Sequence, residues 1–173
     1  MTSSVLAAPS VIVETSKGKF TVELNAEKAP ITVKNFLDYV DAKFYDGLIF
    51  HRVIPGFMVQ GGGMDAALKQ KATKPSIKIE SSNGLKNERG TVAMARTNDP
   101  NSASSQFFVN LVNNSFLDFK DPSPQGVGYT VFGKVTSGLE VVDEIAKVKT
   151  GNSGMYSDVP TEAITILSVK KVE

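Results

Sequence analysis

Phe50-His51-Arg52-Val53-Ile54-Pro55-Gly56-Phe57-Met58-Val59-Gln60-Gly61-Gly62 reads as two short strands folded back on each other. Leu48–Ile54 and Phe57–Gln60 are rich in β-branched and aromatic residues. Ile54-Pro55-Gly56 between them is turn chemistry, because proline presets one backbone angle and glycine tolerates the reversed one. Such a turn brings Arg52 and Gln60 onto neighbouring strands. Consecutive strand residues point to opposite faces, so at least one of Phe57 and Met58 could lie outside the main core. Pattern alone leaves two readings open. Either Phe57 and Met58 fill the core while Arg52 and Gln60 face water, or all four line a binding groove.

Outward from this stretch, the same strand signals recur. Val11-Ile12-Val13 and Phe20-Thr21-Val22-Glu23-Leu24 flank Ser16-Lys17-Gly18, a hairpin pattern. Further strands are expected at Thr91–Ala95, Gln106–Val112, Tyr129–Val135 and Ala163–Val172. Two helices interrupt them. One starts at Ala29-Pro30, with Val33, Phe36, Leu37 and Val40 on one face, and the other runs from Leu139 to Ala146 with Leu139, Val142 and Ile145 aligned. Many strands with only two well-separated helices argue against alternating βαβ units. The expected fold is mainly β, a closed or nearly closed antiparallel sheet whose open ends the helices cover.

The 173 residues suit one domain, expected over residues 10–173, with residues 1–9 as a flexible N-terminal extension. About 69% of the unfolded chain's surface should be buried on folding, so the core needs no staple. There is no cysteine and one histidine, which excludes thiol nucleophiles, zinc fingers and multi-histidine metal sites. A net charge of +1 gives no reason to expect nucleic acid or an acidic membrane as partner. No apolar run approaches the roughly 20 residues of a membrane span. The opening MTSSVLAAPS lacks the basic start and long apolar stretch of a signal peptide. A cytoplasmic location is therefore expected, with a periplasmic one as the alternative if residues 1–9 are what remains of a removed signal.

Three motifs invite functional readings. Gly61-Gly62-Gly63-Met64-Asp65-Ala66 formally matches a dinucleotide fingerprint, but Asp65–Lys74 has few apolar residues and ends at Pro75, so no helix faces a pyrophosphate. The glycines serve a sharp backbone turn instead. Gly128-Tyr129-Thr130-Val131-Phe132-Gly133-Lys134-Val135 resembles a phosphate loop, yet Val135 stands where a magnesium-binding hydroxyl belongs, and the alternation is that of a strand. His51 beside Arg52 suggests a general base, but no activated nucleophile accompanies it, and we read it as structural.

Taken together with Met94-Ala95-Arg96, Ser105-Gln106-Phe107-Phe108-Val109, Phe116-Leu117-Asp118 and Val131-Phe132-Gly133-Lys134-Val135, the Phe50–Gly62 stretch closely resembles the cyclophilins, the peptidyl-prolyl cis–trans isomerases. Lys69–Lys74, Asn83–Asn87 and Gly90–Thr97 are similar to the short bacterial type. The resemblance covers nearly the whole domain. It implies a closed eight-stranded antiparallel β-barrel capped by two helices, and an isomerase that accelerates rotation about X-Pro bonds in peptides and folding proteins. It also implies roles. Arg52 matches the catalytic arginine, Gln60 the glutamine that orients substrate, and Phe57, Met58, Phe108 and Leu117 the walls of the proline pocket, Phe57 counting among the catalytic set. Ala95, Arg96, Thr97 and Gln106 match the neighbouring groove that holds the peptide backbone. Tyr129 stands where many members carry a pocket histidine. Phe116 replaces the tryptophan that many members use to bind cyclosporin, and losing its indole N–H should weaken the drug. The Phe119–Gly126 loop is longer than in eukaryotic members.

The expected enzyme uses no cofactor and no metal. Its partners are proline-containing peptides and unfolded or folding proteins, with no nucleic acid and no membrane, and it works as a monomer. A different class, a proline-binding module in which turnover is incidental, is disfavoured by the intact Arg52/Gln60 pair, because a pure binder has no use for a donor at the prolyl nitrogen.

Overall fold

The computed structural model describes residues 8–172; residues 1–7, most of the expected N-terminal extension, lie outside them. The order is β1 (Ser10–Thr15), β2 (Gly18–Leu24), α1 (Pro30–Asp41), β3 (Arg52–Ile54), β4 (Met58–Gly61), β5 (Thr91–Met94), β6 (Phe107–Asn110), a 3₁₀ turn (Ser115–Leu117), β7 (Val131–Ser137), α2 (Leu139–Ala146), β8 (Thr150–Ser153), β9 (Tyr156–Pro160) and β10 (Ile166–Lys171). Eight strands form one antiparallel sheet in the order β10-β1-β2-β7-β5-β6-β4-β3, and β8 and β9 form a separate hairpin.

The expected closure into a barrel is not made by a ladder: the order ends at β3 and β10, which do not pair. Instead, Leu48–Phe50, just ahead of β3, stitches the two edges. On one side Ile49 N–H donates to the Met64 carbonyl and the Ile49 carbonyl accepts from Gly62. On the other, Phe50 N–H donates to the Ile164 carbonyl at 3.0 Å and Ile166 N–H to the Leu48 carbonyl at 2.7 Å. The stitch is a single bridge, Ile49 to Thr165, because regular strand begins only at Arg52. The sheet is open.

Alternation along the strands decides which side is core. Val53, Val59, Val109 and Val92 lie opposite one another across β3, β4, β6 and β5 and are all buried. They face a core that also takes Phe36, Tyr39 and Val40 from α1 and Val142 and Ile145 from α2. Tyr45 and Phe107 meet edge-on at 5.5 Å within it. The start of α1 lacks a side-chain cap at Ala29. Glu80 supplies one from afar, its carboxylate accepting from Thr32 N–H and Thr32 Oγ1, each at 2.7 Å. A carboxylate at a helix N-terminus satisfies orphan donors and matches the dipole.

Candidate active site

The turn after β3 has the predicted chemistry. Phe57 N–H donates to the Ile54 carbonyl at 3.0 Å, and Gly56 sits at φ +73, the angle a type II turn demands after proline. With the turn fixed, β3 and β4 pair Arg52 with Gln60, β4 and β6 pair Gln60 with Phe108, and β6 and β5 pair Phe108 with Ala93. These four residues form one row across the sheet. Because they alternate with the valine row, they lie on the face turned away from the main core.

On that outer face Met58, Ala93, Phe108, Leu117 and Val131 make a second apolar cluster, with Phe57, Ala95 and Tyr129 packed against it. A groove of about 140 Å³ opens here, lined by Arg52, Phe57, Met58, Gln60, Ala95, Arg96, Phe108, Leu117 and Tyr129. Met58, Phe108 and Leu117 are buried in its floor, while Arg52, Phe57, Gln60 and Tyr129 are half-buried around it. A second groove adjoins it, sharing Gln60, Ala95 and Arg96 and adding Thr97 and Gln106. Gln70, Ser102 and Ser104 also line it; their positions in turn-like sequence carry no pattern that could have singled them out.

The polar side chains are connected. Arg52 Nη1 donates to Gln60 Oε1 at 3.4 Å, and Gln60 Nε2 donates to Gln106 Oε1 at 2.9 Å. The first contact is long, so the guanidinium is tethered rather than consumed. Among the described residues no carboxylate lies within ion-pair distance of Arg52. Gln106 itself lies across Gly63, where any Cβ would overlap its side chain. The third glycine of the Gly61–Gly63 run is thus required for space.

The Arg96 side chain is held by groups of the protein itself. Its guanidinium stacks 4.5 Å over the Tyr129 ring, while Nη2 donates to the Gly128 carbonyl at 2.7 Å and Nη1 to the Thr97 carbonyl at 2.8 Å. Tyr129 in turn meets Phe108 edge-on at 5.8 Å. Arg96 therefore braces an aromatic wall. Phe116 is exposed, at 62%, and stacks on Phe57 with centroids 5.7 Å apart. His51 does not line the groove. Its ring is buried and Nδ1 has no partner; burial, helped by the Arg52 charge, lowers its pKa from 6.5 to about 4. At neutral pH the ring is uncharged, as its structural reading expects.

The family model for cyclophilin-type peptidyl-prolyl cis-trans isomerase/CLD matches residues 10–171. Peptidyl-prolyl cis-trans isomerase B of Escherichia coli is 56% identical over 159 residues, covering 92% of this chain and 97% of that protein. Peptidyl-prolyl cis-trans isomerase A of Dickeya dadantii is 53% identical over 163 residues, covering 94% of this chain and 84% of that one. Among solved structures, a cyclophilin-type isomerase of Cryptosporidium parvum, crystallised in the presence of the dipeptide Ala-Pro, is similar with a TM-score of 0.78 and 26% identity, over 95% of this chain and 99% of that one.

Proposed function

Because this chain belongs to the cyclophilin-type peptidyl-prolyl cis-trans isomerases and has their isomerase activity, we propose that Arg52 drives X-Pro rotation by donating to the prolyl nitrogen of a ring held over Met58, Phe108 and Leu117. The observation that carries this reading is an un-neutralised guanidinium, tethered through Gln60 to Gln106, at the rim of an apolar groove.

The chemistry follows from the amide. Rotation costs roughly 20 kcal/mol because it destroys resonance across the C–N bond. In the planar ground state the nitrogen lone pair is delocalised and accepts poorly. Near a right-angle twist the nitrogen becomes pyramidal and its lone pair is available. A donor aimed there binds the twisted state better than either planar isomer, which is the requirement for catalysis. Guanidinium suits the task, since it stays charged and presents donors in a rigid plane. The twisted amide is also less dipolar than the planar one, so an apolar floor favours it while gripping the ring.

A rate gain of about 10⁵ would take about 7 kcal/mol, of which one preorganised charged donor supplies about 3 kcal/mol. Desolvation and selection of a near-twisted bound conformer supply the rest. The substrates proposed are proline-containing peptides and folding proteins, in line with the Ala-Pro dipeptide present with the Cryptosporidium parvum relative.

Arg52→Ala is expected to lower kcat/KM on a short Ala-Pro peptide by about 10²–10³-fold with unchanged circular dichroism. Arg52→Lys should not restore it, because ammonium lacks the planar fork. Equal rates in folded Arg52→Ala protein would refute the role. We further propose that cyclosporin binds weakly here, as the exposed Phe116 offers no N–H. Titration calorimetry on Phe116→Trp should show tighter binding; unchanged affinity would remove that explanation.

A further inference from the structure

Three asparagines beneath the groove are joined in a way that the isomerase chemistry above does not use. Asn110 closes β6 directly opposite Met58; it, Asn87 and Asn114 are all at most 3% exposed. Asn114 Nδ2 donates to the Phe57 carbonyl at 3.0 Å and to Asn110 Oδ1 at 2.8 Å. Asn110 Nδ2 donates to Asn87 Oδ1 at 3.1 Å and to Thr91 Oγ1 at 3.0 Å. Asn87 Nδ2 donates to the Leu117 carbonyl at 3.1 Å and to Asp118 Oδ1 at 3.2 Å. The Leu117 carbonyl also accepts from Tyr129 N–H at 3.0 Å.

Each amide uses both of its N–H donors. Flipping any one would set its oxygen against an acceptor oxygen, so the relay has one direction. Its two ends are the backbone carbonyls of two residues that line the groove, Phe57 and Leu117, the second also bonded to Tyr129 N–H. A purely apolar filling of the same space could be as stable, since replacing both partners of a buried hydrogen bond by well-packed apolar groups is often neutral. What apolar packing does not supply is a fixed separation between two carbonyls, which directional bonds do.

We propose that Asn87, Asn110 and Asn114 are positioning residues that set the width of the proline pocket and thereby its selectivity for the five-membered ring. This rests on reading the groove as that pocket. The relay acts through Phe57 and Leu117 and touches no substrate.

The test compares kcat/KM for an Ala-Pro peptide with that for the same peptide carrying the six-membered pipecolate in place of proline. Wild-type protein should prefer proline. In Asn114→Ala the proline-to-pipecolate ratio should fall by about five- to tenfold, the size of one lost hydrogen bond. Asn114→Ser, which returns one donor, should recover much of it. Val169→Ala, in the main core and remote from the groove, lowers the melting temperature and should keep the wild-type ratio. Should Asn114→Ala not fold, the reading passes to Thr91→Val, which takes the hydroxyl acceptor away from Asn110 and is expected to narrow the ratio. A folded relay variant with the wild-type ratio overturns the proposal, as does a Val169→Ala ratio that falls equally. A wild-type enzyme indifferent to ring size would instead refute the pocket reading itself.

Discussion

Acidification from pH 7 to about 5 should destabilise this protein through His51. The chain has one histidine. Its ring is 6% exposed and Nδ1 is unpartnered, so charging it in the native state means burying a cation next to Arg52, and its pKa falls from 6.5 to about 4. Between those values the unfolded chain takes up a proton and the native one does not. The stability is therefore complete above about 6.5 and is lost progressively as pH falls toward 4. Full loss amounts to about 3 kcal/mol. For a chain of this size that lowers Tm by about 6–12 °C. Aspartates do not obscure the window. Asp143 and Asp38 are held below their usual range by hydrogen bonds from Arg89 and Lys34, and Asp121 by bonds from Ser123, so their contributions stay complete above about pH 5 and fade below it. The measurement is Tm by calorimetry at half-unit steps from about pH 7.5 to 5, for wild type and His51→Gln. Wild type should slope and the variant should be nearly flat. A flat wild type, or a slope that persists in His51→Gln, would show that the ring is not held neutral. The same reasoning applies to turnover: kcat/KM should show no inflection near 6.5, where a histidine general base would produce one.

Phe108→Ala removes a buried ring that Tyr129 meets edge-on; it should cost about 3–5 kcal/mol in urea unfolding and weaken peptide binding. Unchanged affinity and stability would mean the ring is not a groove wall. Gly63 lies outside the left-handed region and needs glycine only to make room for Gln106. Gly63→Ala should accordingly leave Tm within a few degrees, since the obstructing group is a movable side chain, while kcat/KM falls about tenfold as Gln106 and then Gln60 are displaced. Wild-type turnover in that variant would show that the Gln106 tether is dispensable.

Legibility in the sequence tracked how local each signal is. The bounds of α2 follow from three aligned apolar residues after Gly138, and the Pro30 start of α1 from proline's fit to a first helical turn; both are observed as expected. Arg52 facing Gln60 follows from one turn and strand alternation. Signals that depend on distant partners were not readable. The expected strand from Leu48 shortens to Arg52–Ile54 because Leu48–Phe50 divides its hydrogen bonds between two edges, and with it goes the closed barrel. The β8–β9 hairpin lies in Thr150–Pro160, whose Gly, Asn, Ser and Asp content reads as turn. Arg96 lines both grooves, and that its guanidinium lies over Tyr129 depends on an aromatic face and the Gly128 carbonyl, both distant in sequence. Asparagines 87 and 114 look like turn residues in the sequence; only Asn110, ending an otherwise apolar strand, signals a polar group that must find partners.

One stretch of sequence explains why a groove exists on this sheet at all. Phe107-Phe108-Val109-Asn110 is buried at every position, which a strand with one solvent face would not allow. Phe107 and Val109 belong to the main core, Phe108 to the outer cluster. An apolar outer face left open would be an aggregation liability. Here the segment that follows β6 folds back over it, placing Leu117 and Tyr129 against Phe108 and Met58 and joining them through the Leu117–Tyr129 backbone bond. The cover is incomplete, and Arg52 and Gln60 stand at the uncovered edge. On the proposed reading a proline ring finishes the burial, and of the two arginines that line the groove Arg52 is the one tethered by a single long bond, since Arg96 is occupied by Tyr129, Gly128 and Thr97. The asymmetry is what the proposal draws on when it gives binding to the apolar floor and rotation to Arg52.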